Sequence, residues 1–167
     1  TSFDVETVGA DAGKDKIRFR IIVRNTGKVS GKEVVQVYAE APQGKLGKPL
    51  RSLISFRKTD LLEPGEEQEL LLEIDYSYLA SYDDSGVTGN KSCYVLEEGL
   101  YNIYVGTDVR SAEKKLDFSF AKTIVTERLE EALAPVEPFE RLKPAVSADG
   151  KVTKTYEAVP LKTVDEE

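Results

Sequence analysis

Between Ile17 and Phe120 apolar and polar residues alternate in short runs, the period of extended chain rather than of a helix. Ile17, Phe19, Ile21 and Val23 interleave with Arg18, Arg20 and Arg24, which predicts a strand with one buried and one charged face. NTGKVSG at residues 25–31 supplies turn chemistry. Val35, Val37 and Ala39 then alternate with Val34, Gln36 and Tyr38 until Pro42, which cannot donate to a ladder. Beyond the loop QGKLGKP, residues 53–56 form another apolar run. EPGEE at 63–67 reads as a turn, with Pro64 at its second position and Gly65 at positive φ. Leu70, Leu72 and Ile74 resume the alternation. Residues 76–92 make a long irregular crossing with room for one helical turn. CYVL, a turn at Glu98 and Gly99, a strand through Tyr101, Ile103 and Val105, and one through Leu116, Phe118 and Phe120 complete the set. Short strands, with turns every ~8–12 residues and no long helix between them, predict an all-β fold. The architecture expected is an immunoglobulin-like antiparallel β-sandwich with an extended C-terminal tail.

That sandwich is expected over residues 1–127. Residues 128–167 differ, because four of the chain's seven prolines (Pro135, Pro138, Pro144 and Pro160) fall there and the alternation is lost. A short helix is predicted at 127–134, with Leu129 and Leu133 on one face and Pro135 as its stop. The remainder reads as a Pro-rich extended linker to a following domain, with its apolar residues lying on a neighbour and 147–154 most mobile.

Composition then removes whole classes of chemistry. The 167 residues include no His and one Cys, so a His-based triad, an internal disulfide and a Cys-based zinc site are excluded. Lys plus Arg is 23 against 30 Asp plus Glu, a net charge of −7 that repels phosphate backbones; nucleic acid is not an expected partner. No apolar run approaches the ~20 residues of a membrane span. The chain has no Met and begins with Thr1, which reads as a piece of a longer polypeptide. The lone cysteine leans slightly toward the cytoplasm.

Six motifs follow one another in order: Asn25-Thr26-Gly27, GKEVVQVY at 31–38, a Pro loop over 42–58 ending in LISFRK, LEPGE at 62–66, Tyr82-Asp83, and GLYNIYVG at 99–106. Together they resemble the fibronectin type III-like domain of glycoside hydrolase family 3. The resemblance implies a parent enzyme that hydrolyses β-glycosides with retention, most often a β-glucosidase. It also implies that this module braces an α/β sandwich domain and a (β/α)8 barrel that carry the catalytic Glu and Asp. The tail resembles the subgroup in which the barrel comes last. No residue here matches either catalytic motif, so the chain by itself is expected to be inactive and to need no cofactor or metal.

The candidate contact residues, to other domains of the parent or to carbohydrate, are Gln43, Lys45, Leu46 and Arg51 of the Pro loop and Tyr76, Tyr82 and Asp83 of the long crossing. Asp83-Asp84 is the one adjacent Asp pair, and Ser85-Gly86 after it makes it a turn rather than an acid/base pair. Tyr78 and Leu79 are expected to cap the sandwich, with the neighbouring tyrosines facing a partner domain. Tyr101 falls at a tyrosine corner, its hydroxyl bonding nearby backbone. Two other readings use the same strands: a stand-alone carbohydrate-binding module, which would need coplanar exposed aromatics, and a cell-surface adhesion module.

Overall fold

A computed structural model describes residues 2–163; Thr1 and positions 164–167, the end of the expected tail, lie outside the described residues. Two antiparallel sheets face each other. One has the order β1-β2-β5, formed by β1 (Phe3–Ala12), β2 (Lys16–Asn25) and β5 (Glu67–Asp75). The other has the order β4-β3-β8-β9, formed by β3 (Val34–Glu40), β4 (Ser52–Lys58), β8 (Gly99–Gly106) and β9 (Glu113–Phe120). Ile17, Ile21, Val23, Val35, Val37, Tyr101 and Ile103 have no exposed surface, and Leu70, Leu72 and Ile74 close the core between the sheets. The alternation therefore has the expected parity, since a slip of one residue would exchange the faces. On the outer face of β2 and β5, Glu73 accepts from Lys16 and Arg18, and Arg20 reaches Glu69 at 3.4 Å.

The motifs are tied to one another by buried polar groups. Asn25 is fully buried; its amide donates to Leu62 O at 2.8 Å and to Val29 O at 2.9 Å, and its Oδ1 accepts from Gly27 N. Gly65 N returns a bond to Asn25 O at 2.8 Å, with Gly65 at φ +85°, the left-handed conformation that the turn demands. Thus NTG and LEPGE, 37 residues apart between Asn25 and Leu62, form one corner.

Apart from these sheets, β6 (Ser81–Asp83), β7 (Cys93–Leu96) and β10 (Ile124–Arg128) make a small sheet in the order β10-β7-β6. β10 overturns the predicted helix at 127–134. Glu127 and Arg128 pair with Tyr94 and Cys93, and Leu129 N extends the contact to Ser92 O. Only Glu130 to Ala134 then remain before Pro135, too few to offset helix nucleation, and a single turn closes from Ala134 N to Glu131 O.

The tail also regains structure. β11 (Glu140–Val146) and β12 (Val152–Ala158) form a two-stranded sheet of their own, with Ser147 N bonded to Lys151 O across its turn. Pro144 sits opposite Lys154 in this ladder. A hairpin in which each strand has a free edge can hold a proline, because the missing N–H can face outward.

Candidate functional site

The predicted contact residues fall into two separate places. In the first, the loop between β3 and β4 is fastened from below by Glu97, which follows β7 directly. Glu97 is 4% exposed. Its carboxylate takes Lys45 N at 2.6 Å and Lys48 Nζ at 2.5 Å, and Lys48 also donates to Pro42 O at 3.1 Å. Burial penalises the Glu97 charge, but the Lys48 ammonium and the amides of Lys45 and Leu46 outweigh it and hold the carboxyl below its ordinary 4.5. Gly44 makes the arrangement possible: at φ +25° a Cβ there would lie 2.3 Å from Glu97 Oε1. Gln43 and Lys45 are left exposed on this fixed loop, with Leu46 half-buried.

At the end of the loop Arg51 lies over the Tyr104 ring, its guanidinium carbon 3.7 Å from the centroid, and donates to Val109 O at 3.0 Å. Tyr104 Oη donates to Glu40 at 3.0 Å. The guanidinium occupies the ring face that a sugar would need.

The second place divides further. Tyr76 packs its ring on Phe118 and Phe120, at 5.1 and 5.3 Å between centroids, and donates its hydroxyl to Gly13 O at 2.9 Å. It is Tyr76, with Leu79, that closes the end of the core; Tyr78, expected there, is 68% exposed. The short 3₁₀ turn Tyr76–Leu79 explains the exchange, because its winding carries Tyr78 outward. Tyr82 pairs with Tyr94 on the small sheet, with rings 5.3 Å apart and tilted by 50°. They do not form the flat platform that stacking on sugars requires.

Asp83 is fully buried. Its Oδ1 accepts from Gly86 N at 2.7 Å and Val87 N at 3.1 Å, and its Oδ2 from Thr88 N at 2.9 Å and Thr88 Oγ1 at 2.5 Å. Desolvation opposes its ionisation, but the Thr88 hydroxyl and these amides prevail and hold it below its ordinary 3.8. A carboxylate with its lone pairs committed and no exposed surface organises a loop; it cannot attack an anomeric carbon. Asp84, next to it, is paired with Arg141.

A third cluster is bonded to none of the predicted contact residues, although Tyr82 lines the groove beside it. Glu131 draws the two ends of the tail together: it accepts from Thr163 N at 2.6 Å, Lys91 Nζ at 2.9 Å and Ser92 Oγ at 2.9 Å. The Thr163 amide, then Lys91 and Ser92, depress its carboxyl to about 2. Ser92 adopts φ +60°, a conformation uncommon outside glycine, with its hydroxyl on Glu131. Beside this cluster a groove of about 440 Å³ is lined by Leu129, Leu133, Pro135, Pro160 and Leu161.

One of these anchors has a signal in the sequence. Cys93, Val95 and Glu97 share parity, so the buried face of β7 points to a buried Glu97. Glu131 has none, lying among prolines without a period.

The model for the fibronectin type III-like domain matches residues 33–109, the stretch that runs from the start of β3 to just past β8. Residues 33–109 are a fibronectin type III-like domain. Over 99% of its length the chain is 47% identical to a β-glucosidase of Ruminococcus albus, of which it spans 17%. It is 41% identical over 148 residues to β-glucosidase A of Butyrivibrio fibrisolvens, again spanning 17% of that protein. Among solved structures, a β-glucosidase from Paenibacillus barengoltzii superposes with TM-score 0.89 at 46% identity, covering 98% of this chain and 19% of that one. Coverage that high takes in the β11–β12 hairpin as well as the sandwich. The fibronectin type III-like module and its tail thus correspond to under a fifth of these β-glucosidases, and the relationship to family 3 glycoside hydrolases implied by the motifs agrees with these matches.

Proposed function

We propose that this chain is a non-catalytic module of a retaining β-glycoside hydrolase of the β-glucosidase type, and that it braces the catalytic barrel and α/β sandwich domains of that enzyme. The observation that carries the reading is the match of nearly the whole chain to a small fraction of β-glucosidases. The carboxylates support it: Asp83 is consumed by its own loop, Glu97 by Lys48 and Glu131 by Thr163 and Lys91. Gln43, Lys45 and Leu46, on a loop fixed from beneath, offer one bracing surface, and residues 128–167 lead toward the next domain. The stand-alone sugar-binding reading is not favoured, because Arg51 covers Tyr104 and the Tyr82–Tyr94 rings are tilted.

Calorimetry of the longer polypeptide tests bracing. A module that braces its neighbours unfolds with them in one transition, and Glu97→Gln lowers that transition as a whole. A variant that moved only a separate module transition would refute it.

A further inference from the structure

We infer that the largely apolar face of the β11–β12 hairpin is a docking face, and that its occupant is a largely apolar surface on another domain of the same polypeptide. The inference rests on the module reading above.

The pleat sorts the hairpin's side chains. Leu142 stands opposite Tyr156, and Val152 lies on the same side as Tyr156. Tyr156 and Val152 are each 65% exposed and Leu142 is 58% exposed; Pro144 shares this largely apolar side, as do Lys154 and, at its base, Glu140, while Arg141, Lys143 and Glu157 lie on the other. There Arg141 donates to Glu157 at 2.8 Å, Lys143 pairs with the same carboxylate, and Arg141 also binds Asp84. Arg141, Lys143 and Glu157 are satisfied at home; Leu142, Val152 and Tyr156 are left uncovered.

An isolated two-stranded hairpin is marginal in water and needs a covering layer. The approach to it adds apolar surface, with Leu133 99% exposed and Val136 and Phe139 more than half exposed. The hairpin is nevertheless held at its base: Val159 N bonds Phe139 O at 3.0 Å, Lys162 N bonds Pro135 O at 2.8 Å, and Glu131 clamps Thr163. A face that is largely apolar, uncovered and rigidly presented is preorganised for a partner. The occupant follows from the relatives. The hairpin belongs to the stretch shared with the Paenibacillus β-glucosidase, and about four-fifths of that chain lies outside the match, on the same polypeptide.

Amide hydrogen exchange on the 167-residue chain and on the longer polypeptide decides between docked and free. Amides of Glu140–Val146 and Val152–Ala158 should exchange about 100-fold more slowly in the longer polypeptide. The pair Leu142→Asp and Tyr156→Asp should abolish that added protection while leaving the melting temperature of the 167-residue chain within about 2 °C. Equal exchange in the two proteins overturns the inference, and needs no variant to be read. Protection in the 167-residue chain that rises with its concentration would assign the face to a second copy instead, and also overturns it. Aryl β-glucoside hydrolysis is measured alongside. Hydrolysis without added protection sinks the docking face alone; protection without hydrolysis sinks the module reading and leaves a docked hairpin.

Discussion

Replacing Glu97 by Gln removes one charge and almost no volume, and it leaves the Lys48 ammonium 7% exposed without its counter-ion. The Lys45 amide can still bond to the Gln carbonyl, so the loss is confined to the pair. Removing one partner of a buried pair costs about 3–5 kcal/mol, and the loop's closeness to solvent puts this case at the low end, about 3 kcal/mol. For a domain of this size that lowers the melting temperature by about 6–12 °C. Lys48→Met keeps the aliphatic stem and should cost about as much. The double variant should cost clearly less than the sum, because neither charge is then stranded. The sign with pH follows from the depressed carboxyl. The pair's stabilisation is fully present above 4.5 and is lost as pH falls through the lower folded-state value. The gap between parent and Glu97→Gln should therefore be constant from about pH 5 to 8, values at which Glu97 is ionised both folded and unfolded, and should close on acidification. Thermal melts followed by circular dichroism at several pH values would measure it. A cost under about 1 kcal/mol at neutral pH, the range of exposed pairs, would refute the anchoring role.

Val37, with no exposed surface, should lose about 1–3 kcal/mol on truncation to Ala by urea unfolding. Asp83→Asn turns an amide group toward the Thr88 donors and should cost about 2 kcal/mol at neutral pH, with the difference from the parent shrinking as pH falls below 3.8. Glu131, depressed to about 2, should hold Thr163 throughout the range above that value and release it only below; Glu131→Gln should speed exchange of the Thr163 amide at neutral pH.

Legibility in the sequence extends as far as a short-range pattern reaches. Parity places Ile21, Val37 and Tyr101 inside, and turn chemistry places Gly65 at positive φ. The Tyr101 hydroxyl, expected to find backbone, bonds Glu97 O at 3.0 Å, and burial raises it to about 12. β1 carries no such signal, because a bulge between Thr7 and Gly9 interrupts its alternation. The helix at 127–134 fails because Leu129 and Leu133 have helical spacing while the partner that overrides it, β7, lies about thirty residues upstream. The candidate contact residues have only their type to recommend them. Tyr76 and Asp83 are spent on Gly13 O and on their own loop; of the groups that fix the surfaces, parity marks Glu97 alone, while Lys48 and Glu131 are long-range partners that no local spacing announces.

The proposed function gives this chain a structural part and no chemistry in glycoside hydrolysis. Nitrophenol release from an aryl β-glucoside, followed with the 167-residue chain and the longer polypeptide side by side, tests it most directly. Release by the longer polypeptide with none by the chain is the predicted result. Turnover by the purified chain that Asp83→Asn abolishes would contradict it.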